Sequence, residues 1–295
     1  MLLKDSPVQH CTSIKVACAD ILDPPSSKPV LKPEVRHRLD EIASLTYTHI
    51  AVVNPPLSLS SRTPPDGISS SAGWSGLETE RICELVITSS HNATELARVP
   101  LLVMLDELSG LHAESCEIDR KMHMIIAGCK HHVLQSIQEE TATNIYFPSP
   151  LQGLVGPEIV APGSVREIHG GQTTITGLPS GPAQVQAHNP NVIWITGEFF
   201  GVQRARDMLF QLSVQKSKGI QSRETVILPC KLDWMVLDRA KDLKSVMSDN
   251  ATFIQFPPIG SSTSLITVYG DHLVGVQRTI RSIMQLACQH YVGSF

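Results

Sequence analysis

Met124-Ile125-Ile126-Ala127-Gly128-Cys129-Lys130-His131-His132-Val133-Leu134-Gln135-Ser136-Ile137, continuing through Glu139-Glu140-Thr141 to Asn144-Ile145-Tyr146-Phe147-Pro148, is the stretch from which the rest of the chain is read. It opens as an apolar helical turn that breaks on a glycine followed by a basic residue. Val133, Leu134 and Ile137 then recur at helical spacing, which predicts a second, amphipathic helix. The run Asn144 to Phe147 has strand character and closes on proline.

This strand has two echoes in the chain. His49-Ile50-Ala51-Val52-Val53-Asn54-Pro55 precedes it, and Phe253-Ile254-Gln255-Phe256-Pro257-Pro258 follows it. Each comes after a short amphipathic segment, with apolar faces Val35, Leu39, Ile42 and Ala43 in the first case and Leu243, Val246 and Met247 in the last. A second recurrence lies downstream. The strands Val192 to Gly197 and Leu265 to Gly270 lead into helices that share Gly-Val-Gln-Arg, at Gly201 to Arg204 and Gly275 to Arg278. Matched strand, tetrapeptide and helix indicate a duplicated unit.

Taken together, the glycine loop, the helix ending Glu-Glu-Thr and the Ile-x-Phe-Pro strand resemble a K-homology (KH) RNA-binding module. The likeness is to the type I form found in tandem arrays such as vigilin and Bicaudal-C. It implies an α+β fold of tandem type I units, each running strand, helix, helix, strand, strand, helix and each forming a three-stranded sheet backed by three helices. The expected units are 11–111, a degenerate KH-like one; 112–217, with the Gly128-Cys129-Lys130-His131 loop and a long variable loop at 150–190; and 218–295. The array reads as part of a longer one.

In the middle unit the first strand is expected at Glu114 to Asp119 and the first helix at Arg120 to Ala127. In the last unit they are expected at Thr225 to Leu228 and Leu232 to Leu237. The first unit fits least well. Ile14 to Ile21 is its expected first strand, but three prolines between Asp23 and Pro29 oppose a helix there. Its final helix, near Leu96 to Leu108, is expected to begin at or just before Pro100. Pro55 to Gly76 reads as a surface loop rich in Ser, Pro and Gly, and 150–190 holds a β-like patch at Gln172 to Ile175.

The chain has 295 residues, 42% hydrophobic and 18% charged, and a net charge of −4. No global basic field is available to hold nucleic acid, so any RNA affinity has to be local. The seven cysteines form no C-x-x-C pair and are expected to be reduced thiols. The N-terminus breaks into charge at Lys4, so no signal peptide is expected. The longest apolar run, Val99 to Leu105, is far short of the roughly 20 residues of a membrane span. A soluble cytoplasmic protein is expected, with the nucleus as the alternative, and no membrane partner.

Enzyme motifs are missing from the sequence, with no phosphate-binding Gly-x-x-x-x-Gly-Lys, dinucleotide fingerprint or nucleophile elbow. Neither a catalytic residue nor a cofactor is expected. His123, Cys129, His131 and His132 match no zinc spacing, so no metal is expected.

The resemblance implies a groove that clamps about four nucleotides of single-stranded RNA between the Gly-x-x-Gly loop and the variable loop. Carried over, the middle unit offers Gly128, Cys129, Lys130 and His132, with His131 in place of the family's last glycine. Its base floor is Ile125, Ile126, Val133, Ile137 and Ile145. The last unit reads Leu237-Asp238-Arg239-Ala240 at the loop, with neither glycine. Its candidate RNA contacts are Arg239, Lys241 and Lys244, set among Asp233, Asp238 and Asp242. The expected partner is single-stranded RNA, such as messenger RNA in post-transcriptional regulation, with other proteins bound through the variable loops. The alternative is a KH-derived scaffold for protein partners with little RNA affinity of its own.

Overall fold

The computed structural model describes residues 10–22, 30–53, 82–154 and 189–290. The proline-rich 23–29, the loop 55–76 and the patch 172–175 lie outside the described residues. The chain forms two compact units, Met1–Ala113 and Glu114–Phe295.

In the first unit, β1 (His10–Ala17) runs into a single helical turn, α1 (Cys18–Ile21). Then come α2 (Pro33–Thr46), β2 (His49–Val53), β3 (Ile82–Ser89) and α3 (His91–Leu108). The sheet order is β1-β3-β2, with both pairings antiparallel. Its inner face, with Val16, Leu85 and Ile87, packs against Val35 and Leu39 of α2 and Leu101 and Met104 of α3. Arg38 of α2 and Glu107 of α3 form an ion pair.

Three expectations change here. The first strand ends at Ala17 and its last four expected residues are helical. Helix α3 starts at His91, so Pro100 sits inside it. Ser90 caps its first turn by accepting from the Ala93 N–H, a start signal that outranks the internal proline. Cys18 and Cys83 are joined as a disulfide, not free thiols. They are 65 residues apart in sequence, but pairing of Val16 with Cys83 across β1 and β3 brings them together.

The second compact unit holds two more copies of the same order. The middle one is β4 (His112–Glu117), α4 (Arg120–Ala127), a 3-10 turn (Cys129–His131), α5 (His132–Thr141), β5 (Thr143–Tyr146), β6 (Val192–Gly197) and α6 (Phe199–Ser217). The last one is β7 (Gln221–Val226), α7 (Pro229–Asp238), α8 (Ala240–Asn250), β8 (Thr252–Gln255), β9 (Leu265–Gly270) and α9 (Leu273–Cys288). Their sheets are ordered β4-β6-β5 and β7-β9-β8, the order of the first unit again. Strands β4 and β7 begin earlier than expected and end at Glu117 and Val226. Helix α7 starts three residues ahead of Leu232, on a proline at its first position, where the missing N–H costs nothing.

The recurrence is one of local chemistry as well as of elements. In each copy the second helix ends on a left-handed residue: Tyr47 (φ 55°), Ala142 (φ 50°) and Ala251 (φ 50°). That residue turns the chain sharply into the edge strand. The shared Gly-Val-Gln-Arg has a steric reason as well. A Cβ on Gly201 would lie 2.6 Å from the Thr141 carbonyl oxygen, and one on Gly275 would lie 2.9 Å from that of Asn250. Glycine therefore lets the third helix of the middle and last copies cross the end of the second. The following valines, Val202 and Val276, are wholly buried.

Candidate functional site

The middle loop begins where α4 ends. Gly128 (φ 76°, ψ 175°) caps that helix, and its N–H donates to the Met124 carbonyl at 3.2 Å. A side chain is excluded here, since a Cβ would come within 2.7 Å of Val133 Cγ2. Cys129 follows, and then Lys130 (φ 52°) and His131 (φ 61°) both take the left-handed conformation, unusual for residues with a Cβ. The turn is closed by the His131 N–H donating to the Gly128 carbonyl at 3.0 Å. Cys129, Lys130, His131 and His132 are all exposed. Partial burial lowers the His131 pKa below its ordinary value. Lys130 supplies a permanent positive charge to the turn.

Behind the loop the expected base floor lies inside the protein. Ile125 and Ile126 are each 1% exposed and Ile145 is 5% exposed. Ile126, Ile137 and Ile145 belong to the middle copy's own core, against which Val133 is half-buried. His123, also on α4, is buried with Nε2 2.8 Å from the Ile118 carbonyl. Since that oxygen only accepts, Nε2 carries the proton. Burial pushes the His123 pKa down to about 4, and the ring stacks on Phe147. Cys116 nearby has its thiol pushed up to about 11, also by burial. Among the described residues no group of three or more His, Cys, Asp or Glu could hold a metal.

Helix α4 is buried on every side, from Met122 to Ala127. Its second neighbour is the last copy. Met124 and Leu151 join a single apolar cluster with Leu243, Met247, Ile254 and Phe256. By the same resemblance the last copy's base floor would be Leu243, Val246, Ile254 and Phe256, and three of these four lie in that cluster. The edge strand β8 lies against α4, and the 3-10 turn of the middle loop lies against α8. Arg120 reaches across, its guanidinium 5.3 Å from the Phe253 ring centroid while it donates to the Pro150 carbonyl at 2.6 Å. Lys121 stands over Tyr269, and the Lys216 ammonium pairs with Asp271. The last copy's groove is thus filled by protein.

The last copy has no loop to speak of, because Arg239 alone separates α7 from α8. Arg239 is held by Asp242, by Gln289 Oε1 at 2.8 Å and by the face of Trp234. Lys241 is exposed and Lys244 half-buried on α8. The structure therefore brings the middle loop and the helix carrying these lysines together, two groups that sequence reasoning assigned to separate grooves. The packing of α4 was missed. Its signal was present, because a helix apolar all round, with Met122, Met124, Ile125, Ile126 and Ala127, has two buried faces.

Three family models match the chain: the KHD4 first KH domain over residues 9–106, the KHD4 second KH domain over 110–219, and the Mug60/KHD4 KH type I domain over 222–291. All three describe K-homology domains and none an enzyme. The chain is 48% identical over 298 residues to K homology domain-containing protein 4 of Mycosarcoma maydis. That match covers 99% of this chain and 19% of the relative, so the chain spans about a fifth of the relative's length. Two solved structures from Pyrococcus horikoshii OT3 are also similar, Dim2p and the a/eIF2alpha-aDim2p-rRNA complex. Each is 12% identical with a TM-score of 0.21, over 62% of this chain and 95% and 89% of those chains respectively, too distant to bear on its ligands. Sheet order, repeat spacing and the three consecutive family matches agree: the chain belongs to the K-homology family, as a tandem array of three KH domains.

Proposed function

We propose that the chain binds single-stranded RNA and that the middle domain's loop is its phosphate contact. One observation carries the reading. Gly128 holds a conformation and a clearance that only glycine tolerates, and the residues after it, Cys129 to His132, stand exposed with Lys130 among them. A tight glycine turn that projects a lysine at the start of a helix suits a phosphate, which the free N–H groups of the first turn also favour. With the isoleucines behind it buried, contact runs mainly along the backbone, and base preference is modest. On this reading the RNA is messenger RNA and the setting is post-transcriptional regulation in the cytoplasm.

A second reading, a scaffold for protein partners, is favoured by the last domain, whose groove already holds a helix of its neighbour. One titration separates the two. The chain is added to a labelled pool of randomised single-stranded RNA at low and near-physiological salt. Salt-sensitive binding that disappears in a Cys129→Asp/Lys130→Asp chain of unchanged melting temperature is the expected result. Absence of binding even at low salt overturns the RNA reading and leaves the scaffold.

A further inference from the structure

We infer that the last domain carries an arginine face, formed by Arg223 of β7 with Arg278 and Arg281 of α9, which binds an acidic segment of a partner protein. Setting the last domain on the middle one leads there. Ile118 and Ile227 hold the same place, each donating its N–H to the carbonyl just ahead of the central strand, Asn191 at 2.9 Å and Ser264 at 2.8 Å. Arg223 therefore stands where the middle domain has Glu114. The shared Gly-Val-Gln-Arg likewise sets Arg278 on Arg204 and Arg281 on Asp207. In the middle domain this corner is neutralised. Glu114 pairs with Arg206 and accepts from Gln203, Arg204 pairs with Glu140, and Asp207 lies 3.9 Å from Arg206. In the last domain two of those acids have become arginine, and Ile280 replaces Arg206. The three guanidinium groups are exposed and have no ion pair among the described residues. Asp249, in the place of Glu140, accepts from Ser245 Oγ instead.

Register and contacts put the three on one face. Arg223 is paired with Val268, a core residue, so it lies on the helix side of the sheet, where α9 packs against β7. In the middle domain the contacts Glu114–Arg206 and Arg206–Asp207 join the matching positions, so Arg223 and Arg281 flank Ile280. Arg278 is one turn before Arg281 on the same helix. Glu224 lies on the other side of the sheet, paired with Thr267. Strand β7 is the edge opposite β8, so α4, which lies against β8, does not cover this corner. The chemistry favours a protein over RNA. Exposed Val274 and Met284 border the arginines, and neither β7 nor α9 holds an aromatic side chain on which bases could stack. Arginine beside methionine is typical of protein interfaces, and guanidinium groups take carboxylates in a two-pronged fork. A second copy of this chain would set arginine against arginine.

The test selects binders of the whole chain from a displayed library of random short peptides and measures the selected peptides in solution. Sequences that mix Asp or Glu with apolar residues should be enriched. Against an Arg223→Gln/Arg278→Gln/Arg281→Gln chain their affinity should fall about tenfold, the sum of three exposed ion pairs. The melting temperature of that chain should stay within about 2 °C of the parent, because all three side chains are exposed. The Cys129→Asp/Lys130→Asp chain should bind the same peptides as the parent does, whatever becomes of its RNA binding, which keeps this surface separate from the RNA reading of the loop. A library that yields no acidic sequence overturns the inference, as do acidic peptides that bind the Gln chain undiminished or that are lost with the loop variant. If the Gln chain instead loses affinity for labelled randomised single-stranded RNA and no acidic peptide is selected, the face is a nucleic-acid contact and the protein partner is refuted.

Discussion

Truncating Met124 to alanine asks whether α4 is an open wall of a groove or a buried wedge. Met124 is 5% exposed and shares a cluster with Leu243, Met247, Ile254 and Phe256 of the last domain. Removing a buried methionine side chain costs about 2–5 kcal/mol, the larger values applying where the surroundings do not collapse into the gap. Collapse is limited here, because α4 is held at Arg120 by Pro150 and Phe253 and at Gly128 by its own cap. In a compact unit of this size each kcal/mol moves the melting temperature by about 2–4 °C, so a fall of roughly 4–20 °C is expected. Far-UV circular dichroism would measure it, with Met284→Ala as the reference. Met284 is 44% exposed on α9 and its truncation should change stability by no more than about 0.5 kcal/mol. Hydrogen exchange should show the loss in β8 and α8 as well as in α4. A fall of less than about 2 °C, or faster exchange confined to the middle domain, would refute the argument that this helix fills its neighbour's groove.

Two further outcomes follow from local geometry. Ala142 is exposed and left-handed at φ 50°, so Ala142→Gly relieves strain without losing packing and should stabilise by about 0.5–1 kcal/mol. Ala142→Val should do the reverse, and chemical denaturation of the pair would expose any error of sign. His123 has its folded pKa at about 4 against an ordinary value of 6.5, so the unfolded chain binds the proton first as pH falls. The stability from keeping it neutral is full above pH 6.5 and is lost as pH drops towards 4, by up to about 3 kcal/mol. Melts of the parent and His123→Gln between pH 7.5 and 4.5 should converge at the acid end. A parallel fall in both would remove His123 as the cause.

The repeat was legible because it is written in local chemistry. Helical spacing of Val35, Leu39 and Ile42, or of Val133, Leu134 and Ile137, and the shared Gly-Val-Gln-Arg, each reports a contact within one domain. Helix starts were less legible where two signals compete, as where the Ser90 cap overrides Pro100. The Cys18–Cys83 pairing was hidden because it depends on strand register and not on spacing. For the site, the loop residues were found by pattern, but their surroundings were not. Nothing in the periodicity of α4 says which of its two apolar faces meets another domain. The burial of Met124 by the last domain and the approach of α8 to the loop both depend on that.

The packing around the middle loop bears on its departure from the family pattern. Consecutive left-handed residues with side chains, Lys130 and His131, cost roughly 1–2 kcal/mol each. Such conformations persist only where the surroundings over-determine them. A second glycine, at position 131, would remove about half of that cost in an isolated domain. Here α8 lies against the turn and α4 is wedged beneath it, so packing does what the missing glycine would have done. On the other side of the same contact, Met124 joins the last domain's apolar cluster with Leu243, Met247, Ile254 and Phe256. Restoring glycine by His131→Gly should accordingly make the turn less dependent on α8. The substitution would rescue part of the stability that Met124→Ala removes, if that coupling is the reason histidine is tolerated, and would add independently of it if it is not.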